Sequence, residues 1–296
     1  LAPERRAGIC QIFLGDVEGS VAEIEWAAEN GLRGGILVPG TPPDSPFEPL
    51  YAKKYEPIWA AAEACELPLN HHSGGATPSF GNHFPASLAM FMLEVTWWSQ
   101  RALWHLMFSG VFERHPDLQW VNTESGTAWV PETLAKLDSF HERMKYSEYG
   151  SEAIFGGMAV AGMSLTPSEY WQRQCHVGAS FLRPSETEVV REIGVDKVMW
   201  GSDYPHIEGS HPYTDQHLRL TFGRMTEDEA TKLLTTNAAE LYRFDVAALQ
   251  VLADEHCPTK AHVASGIDYA EVPDTGKGCP GMAPQNQVPP VPIAVA

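Results

Sequence analysis

Three clusters in this chain set imidazole and carboxylate groups beside short apolar runs: His71-His72-Ser73-Gly74-Gly75, Glu124-Ser125-Gly126 and Ser202-Asp203-Tyr204-Pro205-His206. Imidazole nitrogen and carboxylate oxygen together suit a divalent cation, and a cation so held polarises a carbonyl or activates water. Each residue also has a plainer explanation. A histidine at a strand end can be a hydrogen-bonded structural residue, Glu124 can cap the helix that follows it, and Asp203 ahead of Tyr-Pro can form a turn. If the run ending in His71-His72 is a strand, alternation sends one ring to the ligand side and packs its neighbour against a helix. His176 lies inside another apolar run, and His206 and His211 follow Asp203 on its loop as further candidates. His115 precedes Pro116 and reads as turn chemistry, while Trp97, Trp98 and Trp104 read as core or interface. There is no G-x-S-x-G elbow, G-x-G-x-x-G turn, phosphate loop or H-E-x-x-H, so serine hydrolase, dinucleotide enzyme and zincin readings find no support.

These groups must be held by something, and the pattern around them is regular. Short β-like runs at 7–14, 34–38, 68–71, 118–123, 174–180 and 197–201 alternate with helical segments at 17–30, 51–65, 86–109 and 130–145. The spacing is that of successive βα units, which implies a parallel sheet with reactive groups just beyond the strands' carboxyl ends. Asp16 is placed to cap the first helix and Gly31 to stop it. Ser185 with Glu188, and Thr226 with Glu229 ahead of 230–234, read as capping boxes. The loops 39–49, 73–84 and 146–165 match no pattern that would name a substrate, and the last reads as a lid or a linker. Past residue 245 the character changes and 258–296 is Pro-, Gly- and Ala-rich, so the expected organisation is a domain over 1–245 and a largely irregular tail over 246–296.

Bulk properties narrow the partners. The 296 residues are 44% hydrophobic and 20% charged, ample for a large core. A formal net charge of -18 argues against nucleic acid and anionic membranes. Five widely spread cysteines without a C-x-x-C pair suggest a reducing, cytoplasmic setting. No apolar run reaches the length of about 18 residues that a membrane-spanning helix needs.

Val111-Phe112-Glu113-Arg114-His115-Pro116-Asp117-Leu118, then Glu124-Ser125-Gly126-Thr127-Ala128-Trp129-Val130-Pro131, then Gly201-Ser202-Asp203-Tyr204-Pro205-His206, and finally Asn237-Ala238-Ala239-Glu240-Leu241-Tyr242 follow one another in an order and spacing that resembles the amidohydrolase-related family. The similarity runs from about residue 7 to residue 245. It implies an α/β fold, a TIM-type (β/α)8 barrel, with one divalent metal. The family's ligands are a His-x-His pair ending strand 1, a histidine ending strand 5 and an aspartate ending strand 8. His72 and Asp203 match the last two, and His-Ser-Gly-Gly favours His72 over His71. On this alignment the six units are strands 3 to 8, and none of the 12 histidines forms a His-x-His pair. Together with a start at Leu1, that leads us to expect a truncated barrel. Glu124 stands where the decarboxylases of this branch carry a histidine.

The resemblance thus implies a metal-dependent hydrolase of a small organic substrate, with Asp203 accepting a proton and Glu124 orienting the nucleophile or substrate. One alternative is a decarboxylase of an aromatic or unsaturated acid, with Asp203 or His176 shuttling the proton. Another is an inert barrel fragment used for binding or assembly. His71 and His206 are the expected substrate contacts. Zinc is the first expectation for the metal, with manganese, cobalt and iron also accommodated, and a homodimer through 91–108 is the expected assembly.

Overall fold

A computed structural model describes residues 2–284 of the chain. It divides into two compact units, Leu1–Ser125 with Val130–Val177, and Gly126–Trp129 with Gly178–Ala296. Six strands, β1 (Cys10–Gln11), β2 (Ile36–Leu37), β3 (Leu69–His72), β4 (Trp120–Thr123), β5 (Cys175–Ser180) and β6 (Val198–Gly201), form one sheet in chain order. The six expected βα units are therefore present, and the α/β fold has the sequential parallel strand order of a TIM-type barrel.

In the first unit β1 to β4 pair in parallel, with Cys10 opposite Ile36, Ile36 opposite Leu69 and Leu69 opposite Trp120. Asn70 locks the register by donating from Nδ2 to the Gly34 carbonyl at 2.8 Å. Gly35, at φ +91, lies so close to β3 that an added Cβ would meet the Pro68 carbonyl oxygen at 2.1 Å, so only glycine fits. The helices are α1 (Val17–Glu29), α2 (Glu56–Ala64), α3 (Ala86–Phe108), α4 (Val111–Arg114), α5 (Val130–Tyr146), α6 (Gly150–Val160) and α7 (Pro167–Gln174). Asp16 caps α1 through Gly19 N at 2.8 Å and Gly31 adopts φ +76 just past its end, as expected. Helix α2 starts at Glu56 rather than at 51, because Pro57 carries no N–H and belongs in a first turn. Ile24, Ile36, Ile58, Trp59, Leu69 and Trp120 are fully buried, each large apolar side chain contributing about 1.5–3 kcal/mol.

The expected lid or linker over 146–165 is instead mostly α6, whose Gly156 abuts the Met144 carbonyl of α5 too closely for any side chain. Helix α3 is two-faced along its length. Ala102, Leu103, Leu106 and Met107 are buried, whereas Leu88, Met90, Phe91, Met92, Leu93 and Trp97 are exposed.

The second unit holds β6 and α8 (Thr187–Ile193), α9 (Thr214–Phe222), α10 (Glu227–Thr231), α11 (Asn237–Leu241), α12 (Val246–His256) and α13 (Lys260–Ala264). Asn237 ties α11 to the start of β6 by donating to the Val195 and Val198 carbonyls at 2.8 and 2.7 Å, which accounts for the Asn-Ala-Ala motif. The Thr226–Glu229 capping box forms. The Ser185–Glu188 box does not. Glu186 is drawn inward instead, accepting from Thr127 N, Thr127 Oγ1 and Ala128 N at 2.9, 2.8 and 3.2 Å, and a 3-10 turn precedes α8. Four donors on one buried carboxylate, Arg183 N being the fourth, outweigh one helix cap.

The tail expected to be irregular differs in kind. It carries α12 and α13, and beyond them a chain of short 3-10 turns buries Val272, Cys279 and Met282 against Leu220. Its last residues, 285–296, lie outside the described residues.

Candidate metal centre

In the first unit, β3 ends at His72 and β4 at Thr123, so the parallel ladder brings His72 opposite Thr123 and sets Glu124 one residue beyond. Glu124 adopts φ +58, a left-handed conformation that costs a non-glycine residue about 1 kcal/mol and is characteristic of functional sites. His72 Nδ1 lies 2.7 Å from the Ser73 carbonyl oxygen. A carbonyl only accepts, so Nδ1 donates, and Nε2 is the nitrogen directed at Glu124. That Nε2 lies 2.6 Å from Glu124 Oε2, yet Oε2 is buried without a hydrogen-bond partner. The approach is close, but its angles make no hydrogen bond. The pairing sets Glu124 beside the nitrogen that His72 would offer to a cation.

His71 goes the other way. It is fully buried, its Nδ1 bonds the Val38 carbonyl at 3.0 Å, its ring stacks on Trp120 at 5.5 Å between centroids, and burial pushes its pKa down to about 4. With no exposed surface it is a core residue, which corrects the expectation of a substrate contact. His176 is likewise misplaced for catalysis: it is the second residue of β5, at the end opposite the strand's carboxyl end, with Nε2 3.1 Å from Gln119 Oε1. A cavity of about 720 Å³ among α2, α3 and α5 includes none of the candidate residues.

In the second unit, Asp203 follows β6 by two residues and also adopts φ +58. The loop folds back on itself through His206 N to the Asp203 carbonyl at 2.8 Å and Ser210 N to the Ser202 carbonyl at 3.0 Å. This brings His206 Nδ1 to 3.0 Å from Asp203 Oδ2 and 3.5 Å from Glu208 Oε1. Asp203, His206 and Glu208 each offer a ligand atom within 4.8 Å of the others. Their two carboxylates and one imidazole are a donor set that divalent cations accept. Glu208 escaped the sequence reading, although a carboxylate two residues past His206 was the available signal. His211 packs edge-on against Tyr204 at 5.2 Å between ring centroids.

Comparison with known proteins comes to the same fold. No curated protein sequence matches the chain. Among solved structures it is similar to 5-carboxyvanillate decarboxylase from Sphingomonas paucimobilis (23% identity, TM-score 0.65, covering 82% of this chain and 68% of that one). It is also similar to an amidohydrolase from Mycobacterium avium subsp. paratuberculosis K-10 (22%, 0.62, 78% and 57%). A third is the manganese-bound 5-carboxyvanillate decarboxylase from Novosphingobium aromaticivorans DSM 12444 (20%, 0.63, 81% and 66%). The chain thus spans less than two thirds of two of these three structures. At these identities the likeness speaks for the fold. The amidohydrolase family model matches residues 2–244, and on that match the chain belongs to the amidohydrolase family.

Proposed function

We propose that this protein is a metal-dependent enzyme acting on a small organic substrate, with His72 and Asp203 as ligands of one divalent ion. The observation that carries this reading is the 2.6 Å approach of Glu124 Oε2 to His72 Nε2 at the strand ends, with His72 Nδ1 committed to the Ser73 carbonyl. When bound, the ion supplies a Lewis acid that polarises a substrate oxygen and makes water acidic. Asp203 is the proton acceptor, and its hydrogen bond to His206 Nδ1 holds the carboxylate in one orientation. Glu124, fixed by its left-handed backbone, orients the nucleophile or the substrate. His206, more than half exposed, is the substrate contact on this loop.

Hydrolysis is the leading reaction, since a carboxylate, Glu124, stands where the decarboxylases of this branch carry a histidine. Decarboxylation of an aromatic acid is the second reading, favoured by the two decarboxylases among the similar structures. Zinc is proposed first for the ion, with manganese next because one of those structures holds it. Elemental analysis of metal per chain, followed by turnover of candidate esters, amides and hydroxybenzoates, tests the proposal. Oxygen-18 uptake from water into product supports hydrolysis; carbon dioxide release without it overturns hydrolysis in favour of the second reading, and no metal with no turnover of either class overturns both.

No helix among the described residues is long and apolar enough to cross a membrane. A cytoplasmic setting is proposed from the five widely spread cysteines, which include no C-x-x-C pair. The net charge argues against nucleic-acid partners. A homodimer is proposed through the exposed apolar first half of α3, and the domain boundary near residue 245 from where the family match ends.

A further inference from the structure

Residues past 244 lie outside the family match, yet in the second unit they pack closely beside the Asp203 loop. The segment 272–282 is anchored by Val272, Cys279 and Met282, buried with Leu220, and by a hydrogen bond between Tyr213 and Thr275 hydroxyls. Two glycines let it lie flat: a Cβ at Gly281 would meet His217 Nε2 at 2.4 Å, and one at Gly276 would meet the Tyr213 ring at 3.0 Å. Between this segment and the loop 207–213 lies a cavity of about 520 Å³. Glu208, His211 and Tyr213 line it from the loop, and Thr275, Gly278 and Cys279 from the segment. Glu208 thus belongs both to the cavity wall and to the cluster with Asp203 and His206.

The wall's chemistry is selective. Among the described residues lining the cavity there is one carboxylate and neither lysine nor arginine. Lys277, the neighbouring cation, is paired with Asp274 at 2.8 Å and sits over the Tyr269 ring at 5.2 Å. An anionic group would enter unpaired against Glu208, whereas a hydroxyl donor finds an acceptor there.

We infer that 272–282 is a fixed recognition wall and that the cavity receives the non-reacting end of the substrate, an uncharged ring or chain bearing hydroxyl donors. This rests on the reading of Asp203 as a metal ligand, which would hold the substrate's reacting group on the same loop. The segment selects substrates by size and charge without joining the chemistry.

Gly278 offers the test, because a Cβ there meets nothing within 4 Å and a large side chain fills the cavity without displacing the wall. Resorcinol, neutral and non-chelating, is titrated by ligand-observed NMR against the full chain and against Gly278→Trp, Gly278→Leu and Gly157→Trp. Gly157, in α6 of the first unit, is equally open and serves as the control. We expect measurable resorcinol binding, at least a tenfold rise in Kd for Gly278→Trp and a smaller rise for Gly278→Leu. Gly157→Trp should not change it, and benzenesulfonate should not compete. Absence of resorcinol binding, equal Kd in folded Gly278 variants, or competition by benzenesulfonate overturns the inference. Metal content on the same samples separates the two readings: metal-free protein that still binds resorcinol through Gly278 sinks the metal ligand and leaves the wall.

Discussion

His71 and His72 are neighbours in sequence and of one residue type, yet they occupy regions with opposite physics. His71 faces the packed side of β3, where it is fully buried, stacked on Trp120 and bonded to Val38. His72 ends the strand with about half of its side chain exposed and its Nε2 turned toward Glu124. The difference teaches that alternation along a strand sorts identical side chains into structure and chemistry. Burial makes the first ring hold itself neutral, while the second ring binds the Ser73 carbonyl through Nδ1 and turns Nε2 to Glu124.

The sharpest break of this contrast comes from exchanging the two losses. His72→Ala and Asp203→Asn are expected to lower kcat/KM by about 10²-fold to 10⁴-fold, with metal content falling and the melting temperature nearly unchanged. If His71→Ala removed the metal and His72→Ala did not, the roles would be reversed. Glu124→Gln should retain metal and fold while cutting turnover about 10²-fold, read from kcat at saturating substrate.

His71→Ala should act on stability, costing about 2–4 kcal/mol in urea unfolding through lost contact with Trp120, while the folded fraction keeps its metal. The same burial sets a pH dependence. In the unfolded chain this imidazole takes up its proton near pH 6.5; in the folded chain burial defers that to about 4. The unfolded state therefore binds more protons between those values, so stability is present above pH 6.5 and falls as pH drops toward 4, by on the order of 3 kcal/mol. His105, also pushed down to about 4 by burial, adds to the slope. Urea melts across pH 4 to 7 should show it, with a flatter profile in His71→Ala; an unchanged profile would deny His71 its buried, neutral state.

The smallest effect on either histidine is expected from Trp97→Asp on the exposed half of α3. It should leave metal, turnover and stability within about 0.5 kcal/mol of the parent while yielding a monomer in sedimentation. Persistence of a dimer would move the interface elsewhere.

The periodicity of this chain was enough to place six strands and the main helices, because period-two and period-3.6 patterns report local burial directly. The Thr226–Glu229 box and the Asp16 cap were legible for the same reason: each is a bond between residues three apart. The preference for His72 over His71 came from a short local motif, and the Asp203 loop from another. Where local signals competed with distant partners, sequence reading failed. Ser185 and Glu188 had the spacing of a cap, but Thr127 and Ala128, 59 and 58 residues from Glu186, pulled that neighbouring carboxylate inward. The composition of 246–284 suggested looseness, since Pro- and Gly-rich backbone lacks periodicity. Only the tertiary structure supplied Leu220 and His217 as surfaces for it to pack upon. The residue types capable of chemistry were thus written in the sequence. Which nitrogen faces Glu124, which carboxylate comes to rest beside it and which wall faces the Asp203 loop were decided by contacts between segments far apart in the chain.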